Sequence, residues 1–343
     1  MSFKVGILGA GSFGTAICNL IGQNKEVLLY ARRQSVVDEI NNQNSIKGFA
    51  LPKSISATTN IQEVGEQCRL IFPIIPSEFL RPVIQKISPY VGPGHIMIHG
   101  TKGLDVSSNY ERAVTLQEIK NSVFTMSEVI QQETSVLRTG ALAGPNLAKE
   151  ILEGQPAATV IASEFDEVVK QGMEALSSKT FIVFGSRNLK GIELAGALKN
   201  VIAIASGLMN GLGFGKNMQA LLITRGLREM IHISKAVGAG LAAFLGTAGI
   251  GDLIATATST NSRNFTFGMY LADGKTIDEI KAIMTEVAEG YRTLKFARKV
   301  VVANQLEAPM TEILYQVVYE GLPVRRAMIE LVQNPLSVDV DFL

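Results

Sequence analysis

The six residues Gly9-Ala10-Gly11-Ser12-Phe13-Gly14 constrain this chain more than any others. They follow directly on the aliphatic run Lys4–Leu8 and open the helical run from Thr15 to Ile21. In a strand-to-helix turn of this spacing, the first glycine permits the tight turn and the second lets backbone approach a pyrophosphate. The third allows the helix to pack closely on the strand. Free N–H groups and a partial positive charge then face an anion at the helix start. A second run, Glu26–Tyr30, supplies the next strand, and the whole reads as a dinucleotide-binding turn.

The rest of the first half continues the alternation. Further strands are expected at Leu70–Ile75, His95–His99, Arg138–Ala141, Ala158–Ala162 and Thr180–Phe184, with amphipathic segments between them, the signature of a parallel sheet covered by helices. Pro73 is awkward within its run, because proline cannot donate a ladder hydrogen bond. Beyond the polar stretch Gly185–Lys190 the alternation stops. Helices are then predicted over roughly 191–207, 217–237, 262–272, 276–284, 288–303, 308–319 and 322–332. The expected fold is α/β: a Rossmann-type doubly wound N-terminal domain over 1–189 and an all-helical C-terminal domain over 190–343.

Composition narrows the partners. With 343 residues and 47% hydrophobic content the chain can bury a full core. A formal net charge of +1 gives no general attraction to nucleic acid or to an anionic membrane, so an anionic ligand must be held by local charges. A small-molecule partner is expected. Cys18 and Cys68 belong to no metal-ligand spacing, and neither do His95, His99 and His232, so no metal is expected. Unpaired cysteines and a start that enters the strand pattern at once, without room for a secretion signal, favour a reduced, cytoplasmic setting. The uncharged stretch Ala236–Gly251 carries five glycines and is shorter than the about 18 apolar residues of a membrane span.

Several polar residues stand where a ligand would need them. At the end of the second strand, where an NAD-selective site usually carries an acid, the chain reads Tyr30-Ala31-Arg32-Arg33. Arg32 and Arg33 suit a 2′-phosphate or an adenine face, so NADPH should be accepted beside NADH; they also suit a solvated loop. Lys102 follows a strand at the sheet edge where ligands of such folds bind. After the next strand comes Gly144-Pro145-Asn146, where Asn146 either caps a helix or meets a ligand. Lys199 lies within the apolar run Ile192–Gly207 and reads either as a snorkelling side chain or as a desolvated amine poised to exchange a proton. Asp252 follows Gly249-Ile250-Gly251, as an orienting carboxylate or a cap. Ser262, Arg263 and Asn264 end a run of hydroxyls before a predicted helix, a combination suited to a phosphate as well as to a simple cap.

Taken together, GAGSFGTA at 9–16, TKGL at 101–104, GPNLAKE at 144–150, ELAGALKNVIAIASG at 193–207 and GIGDLIATATSTNSRNFTFG at 249–268 resemble the bacterial type of NAD(P)-dependent glycerol-3-phosphate dehydrogenase. The likeness runs over nearly the whole chain. It implies reversible reduction of dihydroxyacetone phosphate to sn-glycerol 3-phosphate for phospholipid synthesis, in an enzyme that is commonly a homodimer. By this resemblance Lys199 is the proton donor and acceptor, and Lys102, Gly144, Asn146, Asp252, Ser262, Arg263 and Asn264 hold the substrate. Gly9, Gly11, Ser12, Phe13, Gly14, Arg32, Arg33, Lys102, Ala148, Arg263, Val287 and Glu289 are assigned to NADPH or NADH. The chain departs from the family pattern at Asn146, where bacterial members usually carry serine or threonine, and at Phe13, where tryptophan is common. Ala257 stands in for a frequent cysteine. A related dehydrogenase acting on another hydroxy compound, and a catalytically silent nucleotide-binding regulator, are the alternatives.

Overall fold

A computed structural model describes residues 4–284 and 288–333. It divides into two compact units, the first comprising the chain up to Asp105 with Thr125–Leu189, the second Val106–Phe124 with the chain from Lys190 onward. A single boundary near residue 190 makes no provision for Val106–Phe124. That stretch joins the second unit through Lys299, whose Nζ donates to the carbonyls of Glu111 and Ala113 and sits 5.0 Å from the Tyr110 ring centroid. Short and polar, it carries no apolar period from which the association could be read.

The first unit is built on one eight-stranded sheet: β1 (Lys4–Leu8), β2 (Val27–Tyr30), β3 (Ile55–Thr58), β4 (Cys68–Pro73), β5 (Ile96–His99), β6 (Arg138–Ala143), β7 (Ala157–Ala162) and β8 (Phe181–Ser186). Their spatial order is β8-β7-β6-β5-β4-β1-β2-β3, and every pairing is parallel except β6 with β7. The chain therefore winds outward from β1 to β3, returns to β4 on the other side, and leaves a topological switch point between β1 and β4. Ile7, Phe72 and Ile98 on one face and Leu8, Ile71 and Met97 on the other are all 0% exposed, so both faces of the sheet centre are covered. Edge strand β8 shows the half-buried alternation, with Phe181 and Val183 inside and Ile182 and Phe184 outside.

Two strands differ from their sequence reading. β4 begins at Cys68 and ends at Pro73, where Ile74 N–H donates to Leu8 O at 2.8 Å as the last bond of its ladder with β1, so the proline's missing donor falls at the strand end. β3, ISAT, went unrecognised: its four residues mix serine and threonine with isoleucine and alanine, too short and too polar for the pattern.

Among the described residues beyond 188 the second unit contains helices and turns and no strand. α2 (Leu189–Gly211) is long and apolar enough to cross a membrane by length and composition, yet its apolar window is entirely buried within the protein. α3 (Lys216–Ala236), α4 (Asp252–Ala257), α5 (Arg263–Ala272), α6 (Gly290–Asn304) and α7 (Pro309–Tyr319) follow. Two glycines let α2 and α5 touch backbone to backbone: a Cβ on Gly207 would lie 1.9 Å from Phe265 O, and one on Gly268 would lie 2.0 Å from Ile204 O. Gly290 does the same for α6 against α2, 2.5 Å from Asn200 O. The starts of α5 and α6 are thereby drawn to the middle of α2.

Candidate active site

In the first unit the glycine turn has a separate steric reason at each position. Gly9 has φ +117°, and a Cβ there would lie 2.4 Å from Ile74 O. A Cβ on Gly14 would lie 2.0 Å from Gly9 O, whereas Gly11 has nothing within 4 Å. The turn is thus closed on the protein side and open at Gly11, immediately before α1 (Ser12–Gly22), which has no side-chain cap bond and no acid in its first turn. This arrangement fits a pyrophosphate. Ser12 opens the helix, and the Phe13 ring reaches Gly100, where an added Cβ would meet it at 3.0 Å.

From Gly100 the chain carries Lys102. Gly100 N–H donates to Pro73 O at 3.0 Å and Thr101 Oγ1 donates to Ile75 O at 2.5 Å, so the segment after β5 is tied to the segment after β4. Lys102 Nζ then donates to Gly144 O at 2.9 Å. Asn146 does not cap the short helix Ala148–Leu152, since Leu147 occupies that position without a side-chain bond. Its Nδ2 instead donates to Thr159 Oγ1 at 2.8 Å. Ala148, half-buried, is the first residue of that helix.

Arg32 and Arg33 are exposed just beyond β2, and Arg33 precedes the helix Gln34–Gln43 without a side-chain capping bond. The Arg32 guanidinium lies 5.9 Å from the Phe79 ring centroid. Phe79, 43% exposed, was missed in the sequence because an aromatic inside an amphipathic helix pattern reads as core.

In the second unit Lys199 does not snorkel. Its side chain is 3% exposed, and its Nζ lies 3.1 Å from Asp252 Oδ1 and donates to Thr256 Oγ1 at 2.5 Å. Thr256 in turn donates to Asp252 Oδ1 at 3.1 Å. Asp252 and Thr256 stand four residues apart on α4, one helical turn, and so grip the amine from a single face. The preceding Thr247–Gly251 forms a π turn that feeds Asp252 into the helix, the kind of irregularity that recurs at functional sites. Thr256 was missed as an individual residue, although it opens the hydroxyl-rich run read from the sequence.

Ser262 caps α5, its side chain accepting from Phe265 N at 3.3 Å. Arg263 follows, exposed, as the first helical residue. Asn264 is buried and its Oδ1 accepts from Gly290 N at 2.9 Å, which ties the start of α5 to the Glu289–Gly290 junction of α6. Lys199, Asp252, Asn264 and Glu289 are therefore linked through α2 and its partners. Val287 lies outside the described residues. No group of three or more metal-ligating side chains occurs among the described residues. Burial pushes the Cys18 and Cys68 thiols up to about 12, which leaves both inert at neutral pH.

Two family descriptions cover nearly all of this architecture: NAD-dependent glycerol-3-phosphate dehydrogenase N-terminus matches residues 4–169, and the corresponding C-terminus matches 188–329. The chain belongs to this family. The glycerol-3-phosphate dehydrogenase [NAD(P)+] of Acinetobacter baylyi is 37% identical over 347 aligned positions, covering 100% of this chain and 93% of the relative. That of Carboxydothermus hydrogenoformans is 34% identical and covers 99% of each. The crystal structure of glycerol-3-phosphate dehydrogenase from Coxiella burnetii superposes with a TM-score of 0.85 at 28% identity, over 97% of this chain and 99% of that one. As a member of the glycerol-3-phosphate dehydrogenase family, the chain is an oxidoreductase using NAD or NADP.

Proposed function

We propose that this protein reversibly reduces dihydroxyacetone phosphate to sn-glycerol 3-phosphate with NADPH or NADH, supplying the backbone of glycerophospholipids. The observation that carries the reading is the buried Lys199 ammonium, held at 3.1 Å from the Asp252 carboxylate and hydrogen-bonded to Thr256. An ammonium so deep in apolar surroundings is costly without a partner, and the Asp252 carboxylate and Thr256 hydroxyl help to set its direction. A reduced nicotinamide, when bound, would supply the hydride for C2 of the ketone. Lys199 gives its proton to the oxygen that becomes negative, and Asp252 and Thr256 hold the amine in place during the transfer.

Arg263 and the Ser262-capped start of α5 suit the phosphate, a planar fork beside a helix N-terminus. Binding energy from that remote group then serves to orient the carbonyl. Lys102, Gly144 and Asn146 stand together in the first unit and contact the substrate, with Lys102 also reaching the cofactor. Arg32 and Arg33 take the 2′-phosphate of NADPH, with Arg32 and Phe79 offering faces to the adenine. Val287 and Glu289 belong to the nicotinamide end. We further propose a cytoplasmic homodimer.

Loss of absorbance at the nicotinamide band with dihydroxyacetone phosphate, measured with each reduced cofactor in turn, tests reaction, substrate and cofactor together. Turnover with both cofactors is expected, with NADPH accepted at least as well as NADH. No oxidation of either with this substrate would overturn the proposal, and a near-normal kcat in Lys199→Ala would remove its mechanism.

A further inference from the structure

Thr159, on β7, is wholly buried and faces Asn146, which is 9% exposed. Its hydroxyl has one proton, and that proton goes to the carbonyl of Ala143 at 3.1 Å. Toward Asn146 the hydroxyl can then only accept, which selects the amide nitrogen as the near atom, at 2.8 Å. The Asn146 side chain is thereby locked in one of its two flips. Its Oδ1 faces away from Thr159, buried and with no hydrogen-bond partner among the described residues.

A carbonyl acceptor shut away from water without a donor is destabilising, and natural structures keep few such groups. The loop around it cannot retreat to relieve the cost. Gly144 rests on β7 so closely that a Cβ would lie 2.9 Å from both Ala158 O and Thr159 Cα, and Lys102 Nζ holds Gly144 O from the other side. An acceptor fixed in a loop that Lys102 holds by hydrogen bond calls for a ligand that brings a donor. Phosphate and ketone oxygens bring only acceptors. The substrate proposed above has one donor, the hydroxyl on the carbon that bears no phosphate.

We propose that Thr159 is a positioning residue that holds Asn146 Oδ1 as the acceptor for this free hydroxyl, and so makes the hydroxyl a condition of efficient turnover. The proposal rests on the reading of Asn146 as a substrate residue. Serine or threonine at position 146 could turn its own proton either way; the asparagine held by Thr159 cannot. The carboxamide N–H₂ of the nicotinamide is the other donor that could reach such an atom, and the experiment separates the two.

The test compares kcat/KM for dihydroxyacetone phosphate and for hydroxyacetone phosphate, the same ketone without the hydroxyl. The wild type is expected to prefer the former by about 10⁴-fold, as sites built around a substrate hydroxyl do. Thr159→Val keeps the branched shape but not the hydroxyl, and should cut the preference about tenfold while the KM for NADPH stays within about twofold. Thr159→Ser, which removes a methyl group but keeps the hydroxyl, should restore it. Asn146→Leu, lacking any acceptor, should cut the preference at least as far as Thr159→Val does. An unchanged preference in Thr159→Val overturns the proposal. So does a Thr159→Ser variant as impaired as the valine, since that is the mark of packing alone, or a loss that falls on the KM for NADPH with the preference intact, since the donor is then the cofactor's. A wild type that reduces no dihydroxyacetone phosphate overturns the functional reading itself and this proposal with it.

Discussion

Lys199 and Arg263 are both cations of the second unit, yet their surroundings assign them different kinds of work. Lys199 is 3% exposed and held by Asp252 and Thr256, one turn apart on α4. Arg263 is exposed at a helix start, on the solvent side where a phosphate would arrive. Replacing Lys199 by alanine should lower kcat by about 10²–10⁴-fold, the usual worth of a positioned proton donor. Thr256→Val should give a smaller loss, about tenfold, because it removes one hydrogen bond to the amine and keeps the carboxylate. Steady-state kinetics on the two variants checks the ranking; a Thr256→Val enzyme slower than Lys199→Ala would reverse the roles. For Arg263→Ala the effect should fall on KM for the phosphorylated ketone, raised at least about tenfold with kcat reduced much less. Asp252→Asn leaves the buried amine without its counter-charge and should cost about 3–5 kcal/mol of stability, read from the midpoint of urea unfolding.

At the scale of elements, the apolar period told the helices from the strands, and the short or polar pieces escaped it. The glycine turn, α2 and the order of polar loops could be read because each rests on local sequence: three glycines at fixed spacing, an unbroken apolar run, a proline or hydroxyl at a junction. What α4 does could not be. Its six residues bring Asp252 and Thr256 to an amine more than fifty positions earlier, and no local pattern records that pairing. The same holds for Glu229, on α3, which was not singled out in the sequence. Its carboxylate accepts from Met310 N at 2.8 Å, Thr311 N at 2.9 Å and Thr311 Oγ1 at 2.6 Å, and so caps α7 from another helix. Burial pushes this carboxyl from 4.5 up to about 7, against the pull of the Thr311 hydroxyl, the two N–H groups and Arg228. Between those values the folded protein binds the proton that the unfolded chain has released, so Glu229's contribution to stability falls as pH rises from about 4.5 to about 7 and is level above. Urea midpoints of the wild type and Glu229→Gln at pH 5, 6, 7 and 8 should therefore diverge against the wild type up to neutrality and then run parallel. A difference independent of pH would show that the carboxyl ionises at its ordinary value.

Over the whole molecule, the second unit is discontinuous, and Val106–Phe124 belongs to it only through contacts with helices formed much later in the chain. Lys299 is central to that association, with two carbonyl partners and the Tyr110 ring. Lys299→Met should lower hydrogen-exchange protection in α6 and in the 106–124 stretch together, while β1 to β8 keep theirs; equal loss everywhere would mean that the stretch is not a separable part of the second unit. The same feature orders events during synthesis. Ala113 waits for Lys299 across 186 positions, which at about 5–20 residues per second is roughly 10–40 s of translation. Through that interval the sheet can assemble around its own strands while the 106–124 stretch stays without its partners. Its polar composition, which hid it from sequence reading, is what lets a segment wait that long in water without seeking the wrong neighbour.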